Sequence, residues 1–158
     1  LNDQTSLERA AQEVTAKVGS ETAQAISGAL SARRDGRPET VAKLGEGWVA
    51  EEALAIALYA CLCAEDPQTG WQIAVTHSGD SDSTGAIAGA MLGLLFPDAV
   101  MAHPWRQQIE AADLINRLAL DVAQVTTPEW YNEGRTEPTG WGMDGPVFDT
   151  MRARYPGW

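Results

Sequence analysis

The sequence predicts an all-α fold, and three features of the chain lead to that prediction. Apolar residues recur at the three- and four-residue spacing of amphipathic helices over much of the first 125 residues. The segment 51–64 is apolar nearly all round, which is typical of a central helix. No segment requires a strand. The apolar run 71–76 could be strand or helix, because it is too short for periodicity to distinguish the two.

The first helices are predicted from capping residues and periodicity. Thr5 and Glu8 have the spacing of a capping box at the start of an apolar stripe, so a helix is expected there. A second helix is predicted from about residue 21 to residue 33. Pro38 is expected to open a short segment that precedes a Gly-Glu-Gly-Trp turn.

Three further helices complete the predicted helical body. The central helix over 51–64 is expected to end at Asp66, because the residue before a proline disfavours helical geometry. A helix from about residue 83 to residue 95 is expected to stop before Pro97. The last helix is predicted from about residue 105 to residue 125, with apolar residues along one side.

The C-terminal segment differs from the rest of the chain. From residue 126 onward it contains half of the eight prolines and half of the six tryptophans, and no periodicity persists. We therefore expect a helical domain over residues 1–125 and an irregular tail over residues 126–158, packed on the same domain.

Composition excludes several classes of protein. A net charge of −11 argues against binding to nucleic-acid backbones or anionic membrane surfaces. No apolar run approaches the roughly 20 residues that span a bilayer, and no signal peptide is recognisable. Cys61 and Cys63 are interpreted as unpaired, buried thiols of a reducing compartment, which predicts a cytoplasmic protein.

The segment 77–93, with the sequence HSGDSDSTGAIAGAMLG, is the strongest candidate for chemistry. Asp80 and Asp82 are followed directly by the hydroxyls of Ser83 and Thr84, at the expected start of a helix. Hard oxygen ligands of this kind suit Mg²⁺. The alternative is that these residues only cap the helix, which accounts for one or two of them.

Other residues near this motif carry weaker signals. Glu46 lies in the turn Gly45 to Trp48, where glycines could let backbone amides approach a ligand and Trp48 could stack on it; the alternative is a turn with a buried tryptophan. His77 is a candidate base or supporting residue, although a lone histidine is more often structural.

The helix after the motif contains a glycine stripe. Gly85, Gly89 and Gly93 recur every four residues, and each costs roughly 1 kcal/mol of helix stability relative to alanine. This pattern predicts tight packing of a neighbouring element on that face.

The segments 77–95 and 44–62 together resemble the ADP-ribosylglycohydrolase family. The first is similar to the family's C-terminal signature, and the second is similar to its upstream substrate loop and helix. The resemblance implies an all-α fold, two Mg²⁺ or Mn²⁺ ions, and hydrolysis of the glycosidic bond between ADP-ribose and a protein side chain or small acceptor. The Asp-Ser-Asp-Ser-Thr form of the motif most resembles the arginine-specific branch.

The resemblance also implies roles for residues of this chain, without identifying a catalytic residue. The implied metal ligands are Asp80, Asp82 and Ser83; the implied substrate-binding residues are Gly45, Glu46, Gly47 and Trp48; and His77 and Thr84 are candidates for supporting the metal site.

The chain departs from the family pattern in one respect. The family's other metal ligands come from an upstream Thr-Asp-Asp segment, and this sequence contains no Thr-Asp dipeptide. Since the chain also begins with leucine, we expect it to represent the C-terminal half of the usual domain, with little activity alone. A second chain could supply the other half. The alternatives are a truncated, non-catalytic relative that binds ADP-ribose or oligomerises, and an unrelated helical domain.

Overall fold

The computed structural model describes residues 3–126, 150 and 152–156. These residues form helices and connecting turns without a strand, which confirms the all-α prediction. The chain divides into two compact units, residues 1–106 and residues 107–158. No helix among the described residues is long and apolar enough to cross a membrane.

The first unit contains seven α-helices and a 3₁₀ turn, and an eighth helix begins at its end. They are α1 (Gln4–Thr15), α2 (Ser20–Ser31), α3 (Pro38–Val41) with the 3₁₀ turn Ala42–Leu44, α4 (Ala50–Cys63), α5 (Pro67–Val75), α6 (Ser81–Leu95), α7 (Pro97–Ala102) and α8 (Trp105–Gln108). In the second unit, α9 covers Ala112–Thr126.

Helix α4 is the centre of the first unit, as its all-round apolar sequence predicts. It packs against both α2 and α6, and α5 packs on α6. Ile56, Tyr59 and Cys61 are completely buried along it. Cys61 is buried, Cys63 is half-buried, and both are free thiols, which confirms that they are unpaired.

The predicted capping box of α1 is wrong. The helix begins two residues earlier than expected, and Asp3 accepts a hydrogen bond from the Ser6 N–H at 2.7 Å. An aspartate caps a helix at least as well as a threonine, so Asp3 takes the role assigned to Thr5.

The ambiguous segment 71–76 is mostly helical. Asp66 caps α5 by accepting from the Thr69 N–H at 2.8 Å, and Pro67 occupies the first helical position. Proline is favoured there because the N–H that it lacks would have no partner in the helix. Pro97 likewise opens α7 after α6 has ended at Leu95.

The prediction of one continuous helix over 105–125 is wrong. The chain is helical over Trp105–Gln108, breaks, and resumes as α9 at Ala112. Ala111 has a φ of 58°, the left-handed region that L-residues seldom adopt. No glycine or proline marks this break, so the sequence contains no local signal for it.

The glycine stripe of α6 packs closely at two of its three positions. A Cβ on Gly85 would lie 2.9 Å from Val75 Cγ1, and one on Gly89 would lie 3.4 Å from Trp71 Nε1, so side chains of α5 fill this face. No atom of the described residues lies within 4 Å of the corresponding position at Gly93. Tight packing is thus confirmed for the first two glycines and wrong for the third.

In the second unit, described residues of the C-terminal segment are held by one carboxylate. Arg154 Nη1 donates to both oxygens of Asp121 at 2.6 Å, and the Tyr155 hydroxyl donates to Asp121 Oδ2 at 2.8 Å. These bonds hold the pKa of Asp121 below its ordinary value. Most of the predicted irregular tail, 126–158, lies outside the described residues, and its boundary stays a prediction.

Candidate functional site in the turn before α6

The segment that carries the paired carboxylates forms the N-terminus of α6. Asp80 is the N-cap residue, and its Oδ1 accepts from the Ser83 N–H at 3.4 Å. Asp82 lies in the first helical turn and is exposed, while Ser83 is half-buried. We call residues 79–84 the DSDST turn. The capping interpretation is therefore correct for Asp80, and it leaves Asp82 and Ser83 without a capping role.

His77 and Thr84 support this turn through hydrogen bonds. The Gly79 N–H donates to His77 Nδ1 at 3.1 Å, so the other ring nitrogen carries the proton, and Nε2 lies 3.0 Å from Thr84 Oγ1. Thr84 is completely buried, and its hydroxyl donates to the Ala74 carbonyl at 2.7 Å. The result is a directed series of hydrogen bonds, from the Gly79 amide through both side chains to α5.

The loop Gly45 to Trp48, called the GEGW loop, depends on its two glycines. Gly45 has a φ of 120° and Gly47 a φ of 83°, conformations that other residues rarely adopt. Glu52, in the first turn of α4, accepts hydrogen bonds from the Glu46 and Gly47 N–H groups, both at 3.1 Å. These two amides are therefore engaged by the protein itself, which contradicts the expectation that they face a ligand.

Trp48 is the exposed part of the GEGW loop. Its side chain is 66% exposed, so the alternative of a buried tryptophan is wrong. The indole N–H donates to Glu46 Oε2 at 3.2 Å, which orients the ring. An exposed, oriented indole offers a face on which a planar ligand group can stack.

The GEGW loop and the DSDST turn, which are separate in sequence, lie in direct contact. The Asp80 N–H donates to the Glu46 carbonyl at 2.8 Å. A Cβ on Gly79 would lie 1.7 Å from the Glu46 carbonyl oxygen, and one on Gly47 would lie 2.9 Å from Thr84 Cγ2. The two segments that sequence analysis singled out thus pack directly against each other.

The two carboxylates of the DSDST turn lie close together. Hydrogen bonds with the side chains of Asp82 and Ser83 hold the pKa of Asp80 below its ordinary value. Among the described residues, no lysine or arginine forms an ion pair with either aspartate. Two neighbouring carboxylates that form no ion pair with lysine or arginine favour a bound cation or a shared proton.

The carboxylates alone do not complete a metal site. Within the described part of the chain, no group of three or more His, Cys, Asp or Glu side chains is arranged to hold a metal ion. Asp80, Asp82 and the Ser83 hydroxyl provide hard oxygen donors of the type that Mg²⁺ and Mn²⁺ bind. They fit part of a coordination sphere of about six ligands.

Sequence reasoning missed two features beside the turn. Glu52 stands where an acid that only complements the helix dipole is expected, in the first turn of α4, but it holds the GEGW loop. A groove of about 340 Å³ also borders the turn, and its lining includes Trp71, Val75, Ser81, Asp82, Gly85 and Trp105. The indole rings of Trp71 and Trp105 stack with their centroids 5.9 Å apart. They are 34 positions apart in sequence, so no local pattern brings them together.

Comparison with known proteins identifies the family of the chain. The profile of the ADP-ribosylglycohydrolase family matches residues 2–132, which include the GEGW loop, the DSDST turn and all nine helices listed above. No curated protein and no solved structure gives a significant match. The chain belongs to the ADP-ribosylglycohydrolase family, whose members are glycohydrolases with substrates that carry ADP-ribose.

Proposed function

We propose that this chain provides one part of a metal-dependent site that hydrolyses the bond between ADP-ribose and a protein side chain, with arginine as the favoured acceptor. The contact between the GEGW loop and the DSDST turn carries the proposal. The Asp80 N–H donates to the Glu46 carbonyl at 2.8 Å, so a ligand lying on one segment also lies beside the other.

In this proposal, Asp80, Asp82 and Ser83 hold Mg²⁺ or Mn²⁺. Bound divalent ions would offset the negative charge of the substrate and orient the ribose hydroxyls. The Thr84 hydroxyl is occupied by the Ala74 carbonyl, so it supports the turn and is not proposed as a ligand. His77 has the same supporting role, because its two ring nitrogens bond to the Gly79 amide and to Thr84.

The GEGW loop would bind ADP-ribose chiefly through Trp48. The Glu46 and Gly47 amides donate to Glu52, so the group that the loop offers to a ligand is the exposed indole of Trp48. Stacking of a base or sugar on an aromatic face tolerates many orientations. Specificity for the acceptor must therefore come from other groups.

The remaining metal ligands would come from outside the motif. Two carboxylates and one hydroxyl are fewer than the roughly six oxygen ligands of Mg²⁺. The sequence contains no Thr-Asp dipeptide of the kind that supplies the others in the family. We therefore propose that a second polypeptide segment completes the site, and that this chain by itself hydrolyses ADP-ribosylarginine weakly.

Calorimetric titration with Mg²⁺ and Mn²⁺ tests the proposal. The double variant Asp80→Asn, Asp82→Asn should lose metal binding, while asparagine at position 80 still caps α6. Asp98→Asn is a matched control, because Asp98 is an exposed acid in the first turn of α7. Unchanged metal affinity in the double variant, or no metal binding by the unaltered chain, would contradict the metal assignment.

A second candidate function is a non-catalytic module that binds ADP-ribose or oligomerises. The observation that favours it is the exposed apolar surface of α9 in the second unit, where Leu114, Ile115 and Leu118 are 39–47% exposed and Leu120 is 71% exposed. Exposed apolar patches of this kind commonly mark interaction surfaces. ADP-ribose binding that needs no divalent ion would favour this candidate over the hydrolase.

A further inference from the structure

One carboxylate of α4 holds the GEGW loop. Glu52 Oε2 accepts from the Glu46 and Gly47 N–H groups at 3.1 Å each. Two successive amides that share one carboxylate oxygen fix the orientation of the peptide planes on both sides of Glu46. The loop conformation therefore depends on a side chain six residues further along the sequence.

The same loop continues the hydrogen bonding to the DSDST turn. While the Glu46 N–H donates to Glu52, the Glu46 carbonyl accepts from the Asp80 N–H at 2.8 Å. A single residue of the loop thus joins the carboxylate of α4 to the N-cap of α6. A shift of Glu46 moves the backbone that carries Asp80.

The packing around Glu52 leaves little freedom for another arrangement. A Cβ on Gly45 would lie 2.5 Å from both Cγ and Cδ of Glu52, so only glycine allows the carboxylate to reach the loop amides here. Glu51, its neighbour in the same first turn of α4, has no such bonds among the described residues. Complementing the helix dipole would suit either acid, but only Glu52 contacts the loop.

We propose that Glu52 is a positioning residue, which locks the GEGW loop against the DSDST turn and so links the nucleotide-binding and metal-binding parts of the site. The role in ligand binding rests on the proposed function, whereas the link between the two loops does not. Glu52 itself touches neither substrate nor metal in this proposal.

Amide hydrogen exchange measured residue by residue by NMR tests the link. In Glu52→Ala, the Glu46, Gly47 and Asp80 amides should exchange about tenfold faster, the size expected for losing a hydrogen bond to a charged acceptor. Amides in the middle of α4 should be unaffected. Glu52→Gln retains an acceptor oxygen and should restore part of the protection, and Glu51→Ala should change nothing.

Three exchange results would overturn the proposal. They are unchanged exchange at all three amides in Glu52→Ala, equal acceleration throughout α4, and a Glu52→Gln variant that exchanges as fast as Glu52→Ala. The second result would mean that the substitution only weakens the helix.

Titration with Mn²⁺ provides the second measurement. Loss of a residue that orients metal ligands indirectly commonly weakens binding 10–100-fold, so Glu52→Ala should bind Mn²⁺ at least roughly tenfold more weakly than Glu51→Ala. Equal affinities would overturn the link to the metal turn. If the unaltered chain binds no Mn²⁺, the proposed function fails, and the exchange measurement alone decides the role of Glu52.

Discussion

At the scale of single residues, the site depends on Gly79. Its φ does not require glycine, but the space around it does. Gly79 is required because the Glu46 carbonyl occupies the space of a side chain: a Cβ at this position would lie 1.7 Å from that oxygen and 2.8 Å from Glu46 Cα. The obstructing atoms belong to the backbone and cannot rotate away. The GEGW loop and the DSDST turn must therefore move apart if residue 79 carries a side chain.

Gly79→Ala should destabilise the protein and weaken the contact between the loops. We expect the free energy of unfolding to fall by about 1–3 kcal/mol, as for other overpacked sites, measured by urea denaturation. The Asp80 amide should also lose protection from hydrogen exchange. Gly19→Ala is the control, because none of the described atoms lies within 4 Å of its added Cβ. Equal losses in both variants would contradict the close approach of the loops.

The sequence predicts the candidate residues of the site better than their arrangement. The paired carboxylates and hydroxyls of the DSDST turn are recognisable because they are adjacent in sequence and precede a helical pattern. The contact between Glu46 and Asp80 spans 34 positions, and no local periodicity encodes it. Glu52 was missed for a related reason: an acid in a first helical turn already has a sufficient explanation in the helix dipole.

At the scale of elements, the contact of α5 with α6 and with the end of α4 depends on another glycine that the sequence does not mark as special. A Cβ on Gly70 would lie 2.6 Å from Leu92 Cδ2 and 3.1 Å from Ala64 Cβ. Leu92 is completely buried, so its side chain has little room to move aside. Gly93 also lies within a helix, but in the part of the chain that the structure describes no atom lies within 4 Å of its Cβ position.

Alanine should therefore have opposite effects at these two helical glycines. Gly93→Ala should stabilise the protein by up to about 1 kcal/mol, the intrinsic preference of a helix for alanine. Gly70→Ala gains the same preference but overpacks the helix contact, so a net loss of about 1–2 kcal/mol is expected. Thermal and urea unfolding of both variants measure the difference. Stabilisation by both substitutions would show that α5 and α6 do not pack as described.

The helices themselves were predictable where capping residues, prolines and apolar periodicity agree. Helix α4 and helix α6 lie within two residues of their predicted limits, and Pro38 begins α3 as expected. The break before α9 was not predictable, because Ala111 adopts a left-handed φ of 58° where the sequence offers neither glycine nor proline. Tertiary packing can impose such a conformation without a local signal.

At the scale of the whole molecule, the buried centre contains ionisable groups that the fold holds in their neutral forms. Burial raises the pKa of Tyr59 to about 12, and burial raises the pKa of Cys61 to about 12 as well. The Tyr59 hydroxyl donates to the Arg33 carbonyl at 2.8 Å and accepts from the Gly36 N–H at 3.0 Å. The residue thereby fastens the segment after α2 to the central helix.

These raised pKa values predict a loss of stability at alkaline pH. A group whose pKa is higher in the folded state contributes stability below its unfolded pKa, and that contribution falls as the pH rises towards the folded value. For Tyr59 the window runs from the ordinary value of 10 to about 12, and for Cys61 it runs from 9 to about 12. The free energy of unfolding should therefore decrease from about pH 9 upward.

Comparison of the unaltered chain with Tyr59→Phe isolates the tyrosine contribution. The variant should be less stable at neutral pH, because it loses both hydrogen bonds of the hydroxyl, but its stability should fall less steeply above pH 10. The difference in slope is at most about 1.4 kcal/mol per pH unit, the value for one proton. Urea unfolding at closely spaced pH values from 8 to 11 measures it. Tyr155→Phe reports the second unit separately, because burial and the hydrogen bond to Asp121 raise the pKa of Tyr155 as well. Parallel pH profiles for the unaltered chain and Tyr59→Phe would show that the core does not hold this hydroxyl neutral, and a difference confined to Tyr155→Phe would place the alkaline sensitivity in the second unit instead.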